Sequence, residues 1–234
     1  MASNNFEESG SIILPDVRLD FFDIWTAAAP QKESDKANPK KWKFKVKALF
    51  AIGSEADKRA QAAMVEAAKK LWGENYANVI RSMGKNNIAL RNGDDNLDTN
   101  GAIREAYKGM KFISCSNGAK PEIVGPRKHN GKFINISPDS KGFVDGVELV
   151  PPPYKIIAPY RGCYVNLKLK MVAGKAFQPP GGEQLPNQIF GKLEAVQFFR
   201  EGIAFAGGGS NSAEGFDEVG EVETSSAGAD NLFN

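Results

Sequence analysis

The sequence has few of the residues that usually build catalytic and metal sites. In 234 residues there is one histidine, His129, and there are two cysteines, Cys115 and Cys163. A structural zinc site needs about four clustered ligands, which this set cannot supply. No glycine-rich loop runs into Lys-Ser or Lys-Thr, as a P-loop requires. We therefore predict no metal site, no cofactor and no enzymatic activity.

Long apolar runs are also missing. No stretch approaches the roughly 18 apolar residues that a membrane-spanning helix needs. The first residues, MASNNFEESG, lack the basic and then apolar pattern of a secretion signal. We therefore expect no membrane partner and a cytoplasmic location, with both cysteines as buried free thiols.

Basic residues are absent from the end of the chain. Residues 1–200 carry all 30 lysines and arginines with 21 acids, a net charge of +9, whereas residues 201–234 carry seven acids and no base. A basic body with an acidic tail predicts a polyanionic partner that the tail can mimic. A solvated basic surface with an acidic solubility tail explains the charges equally well.

The order of patterns along the chain predicts one domain between two flexible ends. We expect a flexible lead over 1–10, a domain over 11–206, and a Gly/Ser linker with an acidic tail over 207–234. An edge strand is expected over 12–19 because Pro15 cannot donate to a ladder. A helix is expected over 54–72, and a hairpin that turns at 200–202 within 189–208. Many short strands and one helix favour a small β-barrel, closed or partly open.

The segment KWKFKVKALF alternates with a period of two, which predicts a strand over 42–50. Its apolar face would start at Trp42, and Lys43, Lys45 and Lys47 would line the other face at intervals of roughly 6.6 Å, twice the strand rise. That interval is close to the spacing of phosphates in an extended single strand.

A second strand, RGCYVNLKLKMVAG, places four polar residues on one face, and Tyr160 and Arg161 come just before it. The four are Tyr164, Asn166, Lys168 and Lys170. Cations beside a stacking aromatic are what single-stranded nucleic acid needs from a protein. The alternative is a solvated antiparallel face, where lysines discourage edge pairing. Two such strands in one domain favour the binding interpretation.

The pair of segments YRGCYVN and LEAVQFFREG resembles the OB-fold single-stranded-DNA-binding proteins of tailed phages, a family first catalogued as a domain of unknown function. The likeness covers roughly residues 15–208. It implies a five-stranded Greek-key OB barrel with one prominent inserted helix and a disordered acidic C-terminal tail. It also implies sequence-independent coating of single-stranded DNA in replication and recombination, in the cytoplasm of an infected bacterial cell. A homodimer is consistent with it.

On this basis the binding residues can be assigned. Bases are expected to stack on aromatic residues and phosphates to contact cations; the predicted set is Lys43, Lys45, Lys47, Tyr160, Arg161, Tyr164, Lys168, Lys170, Phe112, Phe190 and Trp42. The tail is expected to compete with DNA and to dock a phage or host polymerase, helicase or nuclease. Its predicted residues are Asp217, Glu218, Glu221, Glu223, Asp230, Leu232 and Phe233. Asn234 follows Phe233, where the family ends on the aromatic.

Two other functions stay open at this point. The chain could be a phage accessory module whose basic surface binds a protein. A nuclease would need an acidic metal cluster, and only Asp94, Asp95 and Asp98 could begin one.

Overall fold

The computed structural model describes residues 5–98, 100–129, 131–138, 143–144, 147–148, 158–178 and 184–205. The expected domain boundary at 206 and the acidic tail lie outside the described residues.

Strands dominate the described part of the chain. They are β1 (Phe6–Glu8), β2 (Ile12–Ala28), β3 (Lys43–Ala51), β4 (Leu90–Asn92), β5 (Met110–Asn117), β6 (Glu122–His129), β7 (Lys132–Asn135), β8 (Phe143–Val144), β9 (Val147–Glu148), β10 (Tyr164–Gly174) and β11 (Gln188–Arg200). The helices are α1 (Glu33–Lys36), α2 (Glu55–Trp72) and α3 (Tyr76–Ser82), and a 3₁₀ turn joins α2 to α3.

Five strands close into a barrel in the order β2-β3-β5-β11-β10, with β10 pairing back to β2. Neighbours are antiparallel except β5 and β11, which are parallel where Gly191 pairs with Cys115. This closed five-stranded arrangement confirms the predicted OB-fold. Alternate residues point inward and form one core, which includes the fully buried Leu14, Ile113 and Leu167.

Further strands extend the sheet on both sides of the barrel. β1 pairs with β10, where Phe6 lies opposite Gly174. The predicted flexible lead is therefore wrong for residues 6–8, which gain a ladder of backbone hydrogen bonds from β10. On the other side, β6 runs parallel to β11 and carries β7 as its antiparallel partner.

The predicted helix is confirmed as α2. The Ser54 hydroxyl accepts a hydrogen bond from the Asp57 N–H at 3.3 Å, and Gly73 ends the helix with a positive φ. Alanines such as Ala60 and Ala67 form a fully buried face that joins the barrel core. Small side chains allow the helix to lie close to the strands.

The predicted edge strand over 12–19 is wrong, because β2 lies inside the barrel between β3 and β10. Pro15 is accommodated at an irregularity in the pairing of β2 with β10. The next residue, Asp16, has a φ of 50°, and its N–H donates to the Asn166 Oδ1 at 2.9 Å. A bulge thus removes the need for a ladder donor at the proline.

The described part of the predicted hairpin, residues 189–205, is one strand followed by irregular chain. β11 ends at Arg200, and residues 201–205 return as irregular chain whose Phe205 N–H donates to the Arg161 carbonyl oxygen at 3.2 Å. Both cysteines are buried and free, and burial raises the pKa of the Cys115 thiol to about 12. Within the described residues, no helix is long and apolar enough to cross a bilayer.

Candidate nucleic-acid interface

The outer surface of β3 and β5 forms a basic face, which we call the front face: Lys43, Lys45 and Lys47 of β3 with Ser114 and Ser116 of β5. Cross-strand pairing places Lys45 opposite Ser116 and Lys47 opposite Ser114. Val46 and Ala48, which alternate with these lysines, are buried in the core. As the alternation predicted, the three lysines lie together on the outer face of the strand.

Trp42 does not join the core face that the alternation suggested. β3 begins at Lys43, and Trp42 lies at the end of the β2–β3 loop, where its indole N–H donates to the Lys36 carbonyl oxygen at 3.0 Å. This bond fixes the ring in the loop, beside the start of the front face.

Lys47 lies over two aromatic rings. Its ammonium is 5.5 Å from the Phe112 centroid and 6.0 Å from the Tyr107 centroid. Burial lowers the pKa of Lys47, and Arg91 and Arg104 lower it further, while the Asp20 carboxylate opposes them. A partly desolvated cation interacts more strongly with a phosphate than one in bulk water.

Phe112 is only 2% exposed, in a small cluster with Leu49 and Tyr107. The Arg91 guanidinium lies 4.8 Å from its ring centroid, on the same outer surface as Lys47. The predicted role of Phe112 as a stacking platform does not fit this burial. Its ring instead packs under the Lys47 ammonium and the Arg91 guanidinium.

A buried carboxylate fixes the aromatic cluster to the barrel. Tyr107 donates its hydroxyl proton to Asp20, which is 5% exposed. Arg161 donates its Nε–H to the Asp20 carbonyl oxygen at 2.6 Å and lies 3.3 Å from the carboxylate Oδ1. Arg161, predicted to contact phosphate, therefore serves first to position Asp20.

Tyr160 also has a structural role in the described chain. Its hydroxyl donates to the Gly202 carbonyl oxygen at 2.8 Å and accepts from the Gly202 N–H at 2.9 Å. Both polar functions of the side chain are used to hold residues after β11 against the start of β10. Neither is left for a ligand in this arrangement.

Tyr164 is covered on one face. The Arg200 guanidinium lies 3.4 Å from the ring centroid and is held there by Asp16, whose two carboxylate oxygens accept at 2.9 and 3.1 Å. A base can stack on this face of Tyr164 only after Arg200 moves.

The two predicted lysines of β10 differ in their surroundings. Lys170 lies 3.2 Å from Glu8 and 3.9 Å from Glu194, so its charge is largely balanced. Lys192 also bonds Glu8, at 2.8 Å, and holds the pKa of that carboxyl below its ordinary value. Lys168 is exposed and makes no ion pair within the described ranges.

Phe190 lies in a groove of about 390 Å³ that borders the front face, which we call the aromatic groove. Its ring packs edge-on against Phe6 with centroids 6.4 Å apart, and Phe6 remains 41% exposed. Lys43 and Ser116 of the front face line the same groove. The structure thus brings Phe190 and Lys43 together, and adds Phe6.

Sequence reasoning missed Arg91, Tyr107 and Phe6. Arg91 and Tyr107 lie on β4 and in a 3₁₀ turn, where no periodic pattern marks a residue as facing β3. Phe6 falls in the segment for which the sequence predicts a flexible lead. The only signal for it was an aromatic residue in an otherwise polar segment.

The three aspartates of the acidic loop contact other groups of the protein. The Asp94 Oδ1 accepts from the Gly109 N–H, Asp95 pairs with Lys85, and the Asp98 Oδ1 accepts from the Ala102 N–H. Among the described residues, no group of three or more His, Cys, Asp or Glu side chains could hold a metal ion.

Comparisons with known proteins agree with this architecture. A protein of Acyrthosiphon pisum secondary endosymbiont phage 1, "Putative protein p50", is 30% identical over 138 residues, which is 59% of this chain and 56% of that protein. The match thus spans little more than half the length of that relative.

Solved structures of the single-stranded DNA-binding protein from bacteriophage Enc34 share the fold. A C-terminally truncated form has a TM-score of 0.52 at 16% identity, over 84% of this chain and 88% of that one. A form in complex with single-stranded DNA has a TM-score of 0.51 at 16% identity, over 84% and 90%.

The family model described as "Enterobacter phage Enc34, ssDNA-binding protein" matches residues 10–226. The sequence predicted a non-enzymatic protein, and single-stranded-DNA-binding proteins are a non-enzymatic class. Since the match spans most of the chain, this protein belongs to the family of the Enc34 single-stranded-DNA-binding protein.

Proposed function

We propose that this chain binds single-stranded DNA without sequence preference and coats it during phage DNA replication and recombination. The observation that carries the proposal is the row of three lysines on β3. Within the described ranges, Lys43, Lys45 and Lys47 make no ion pair, whereas Lys170 and Lys192 nearby share Glu8. Cations left unpaired in a row favour a polyanionic ligand.

The aromatic groove supplies the second requirement. Phe6 and Phe190 present ring surface beside Lys43, so a base can stack while its phosphate contacts the lysine. Every base has a π-face and every nucleotide a phosphate. A site built from rings and lysines therefore has little means of reading sequence.

This chemistry also favours single strands over duplex. The bases of a duplex are stacked on each other, so Phe6 and Phe190 gain a partner only from unpaired bases. Fluorescence anisotropy with labelled oligo-dT and a matched duplex, each at two salt concentrations, tests the proposal. We expect clear preference for oligo-dT and weaker binding at the higher salt; equal affinity for both would contradict it.

The acidic tail would regulate access to the front face. Phe205, the last described residue, lies under the Arg18 guanidinium at 4.0 Å and packs on the cluster that contains Tyr107 and Phe112. Phe205 thus packs on the same cluster whose Tyr107 and Phe112 rings lie under the Lys47 ammonium. We infer that the acids of the tail compete with DNA for the lysines; these acids are Asp217, Glu218, Glu221, Glu223 and Asp230.

When DNA displaces the tail, its end becomes available to a partner. Leu232 and Phe233 would then dock on a phage or host replication protein such as a polymerase, helicase or nuclease. We also propose that residues 11–206 act as the binding domain, that 207–234 act as linker and tail, and that the protein works in the cytoplasm of an infected bacterium. A homodimer is compatible with this arrangement.

A further inference from the structure

A second groove lies between the outer face of the β10–β11 pair and the β6–β7 hairpin. It has a volume of about 560 Å³ and we call it the hairpin groove. Its cations are Lys128, Lys132 and Lys168, and Phe133 contributes a ring that is 41% exposed. Glu122 is the acid in its lining. The groove thus combines the same residue types as the front face and the aromatic groove.

Although Glu122 lines the groove, it makes no ion pair with the cations of the groove among the described residues. Within the part of the chain that the structure describes, neither Lys132 nor Lys168 makes an ion pair. The Lys128 ammonium lies 5.1 Å from the Phe133 centroid, where it is held by the ring face rather than by a carboxylate. An anionic ligand would find these charges available.

The floor of the groove is fixed by a chain of amide hydrogen bonds. The Asn166 Nδ2–H donates to the Gln197 Oε1 at 2.8 Å, and the Gln197 Nε2–H donates to the Gly125 carbonyl oxygen at 3.4 Å. These bonds join β10, β11 and β6, so the groove exists before any ligand binds. A preformed site loses less conformational entropy on binding than one that must be ordered.

The hairpin groove continues the path of the aromatic groove. Val172 and Lys192 line the aromatic groove, and Lys168 and Ala195 line the hairpin groove, on the same two strands. Lys168 and Val172 are four residues apart, or roughly 13 Å along a strand. The phosphates of an extended single strand of DNA repeat at roughly twice the rise of a β-strand. The distance therefore corresponds to about two nucleotides.

We propose that the hairpin groove is a second site for single-stranded DNA, which binds a later part of the strand that the front face and the aromatic groove hold. Lys132 and Lys168 contact phosphates, and Phe133 contacts a base or sugar. This inference rests on the proposed function and extends it: the strand continues over the β10–β11 pair onto the hairpin.

Oligonucleotide length separates the two sites. An OB fold occludes about 4–16 nucleotides. Because the hairpin groove begins about two nucleotides beyond the aromatic groove, oligo-dT of about 4 nucleotides can be held by the front sites alone, whereas oligo-dT of about 24 nucleotides reaches both sites. The full-length double variant K132Q/K168Q is compared with wild type and with K58Q/K69Q, which removes two exposed lysines of α2 that line neither groove. Circular dichroism and thermal melting confirm that each variant is folded.

We expect K132Q/K168Q to weaken binding of the longer oligonucleotide and to reduce its salt slope by about 1.4, at about 0.7 per phosphate contact on single strands. Binding of the shorter one and all binding by K58Q/K69Q should stay near wild type. F133A, which keeps every charge, should also weaken only the longer oligonucleotide.

Other outcomes overturn the proposal in distinguishable ways. A second DNA site is excluded if K132Q/K168Q and F133A both bind the longer oligonucleotide as tightly as wild type does. It is also excluded if the variants lose the same affinity for both lengths. If deletion of residues 214–234 abolishes the effect, the groove binds the acidic tail instead. Failure of the wild-type protein to bind either oligonucleotide would contradict the proposed function itself.

Discussion

Gly162 and Gly202 lie in direct backbone contact, because a β-carbon added at Gly202 would be 2.2 Å from the Gly162 carbonyl oxygen. One added at Gly162 would be 2.2 Å from the Ile203 carbonyl oxygen, and Gly162 has a φ of 100°. The two glycines allow residues 201–205 to cross the start of β10. This crossing brings Phe205 onto the cluster of Leu49, Tyr107 and Phe112.

Replacing Gly202 by alanine should therefore destabilise the protein. Backbone must move to relieve the overlap, which costs about 1–3 kcal/mol of unfolding free energy in a packed site. Gly118→Ala is the matched control, since nothing lies within 4 Å of a β-carbon there. Urea denaturation measures both; equal stability of the two variants would contradict the close approach.

Tyr107→Phe tests the buried bond to Asp20. The substitution leaves the carboxylate with one hydrogen bond fewer in a site that is 5% exposed. We expect a loss of about 1.5–3 kcal/mol, typical of a hydrogen bond to a charged group. Tyr76→Phe is the control, because no hydrogen bond to the Tyr76 hydroxyl occurs among the described residues. A similar stability for both variants would show that the Asp20 contact contributes little.

Deleting residues 214–234 should tighten binding of single-stranded DNA, since six carboxylates that compete for the lysines are removed. The gain should shrink as salt rises, because the competition is electrostatic. A full-length variant in which Glu214 and the five tail acids named above are changed to their amides separates charge from length, and it should bind as tightly as the deletion. Unchanged affinity at low salt in both proteins would rule out competition.

Phe233→Ala should leave the affinity for single-stranded DNA unchanged, because the substitution alters no charge. It should abolish binding to a replication partner that docks on the tail, measured by pull-down with purified phage or host polymerase. The same pull-down with Phe216→Ala, an aromatic earlier in the tail, serves as control. Equal binding by both variants would remove the proposed role of the chain end.

Sequence patterns predicted the elements of the fold that depend on residues close together in the chain. The alternation over 42–50 placed Lys43, Lys45 and Lys47 on the outer face, and the capping residues of α2 marked its start and end. The first follows from the burial of one strand face. The second follows from the unpaired backbone groups at helix ends, which capping residues satisfy.

Features that depend on distant partners could not be predicted in this way. Phe112 is buried because Tyr107 and Leu49 cover it, and Pro15 is tolerated inside the barrel because the strand bulges there. Tyr164 is covered by Arg200, which lies 36 positions later in the chain. None of these contacts leaves a periodic signal, so the sequence could not show that Phe112 and Tyr164 are covered by other residues.

The central claim is that the lysines of β3 contact the phosphates of single-stranded DNA. The most direct test is the salt dependence of oligo-dT affinity for wild type, K43Q/K45Q/K47Q and the α2 control K58Q/K69Q. Each lost phosphate contact lowers the slope of log affinity against log salt by about 0.7. We predict a slope about 2 smaller for the triple variant and an unchanged slope for the control. An equal slope for all three proteins would contradict the claim.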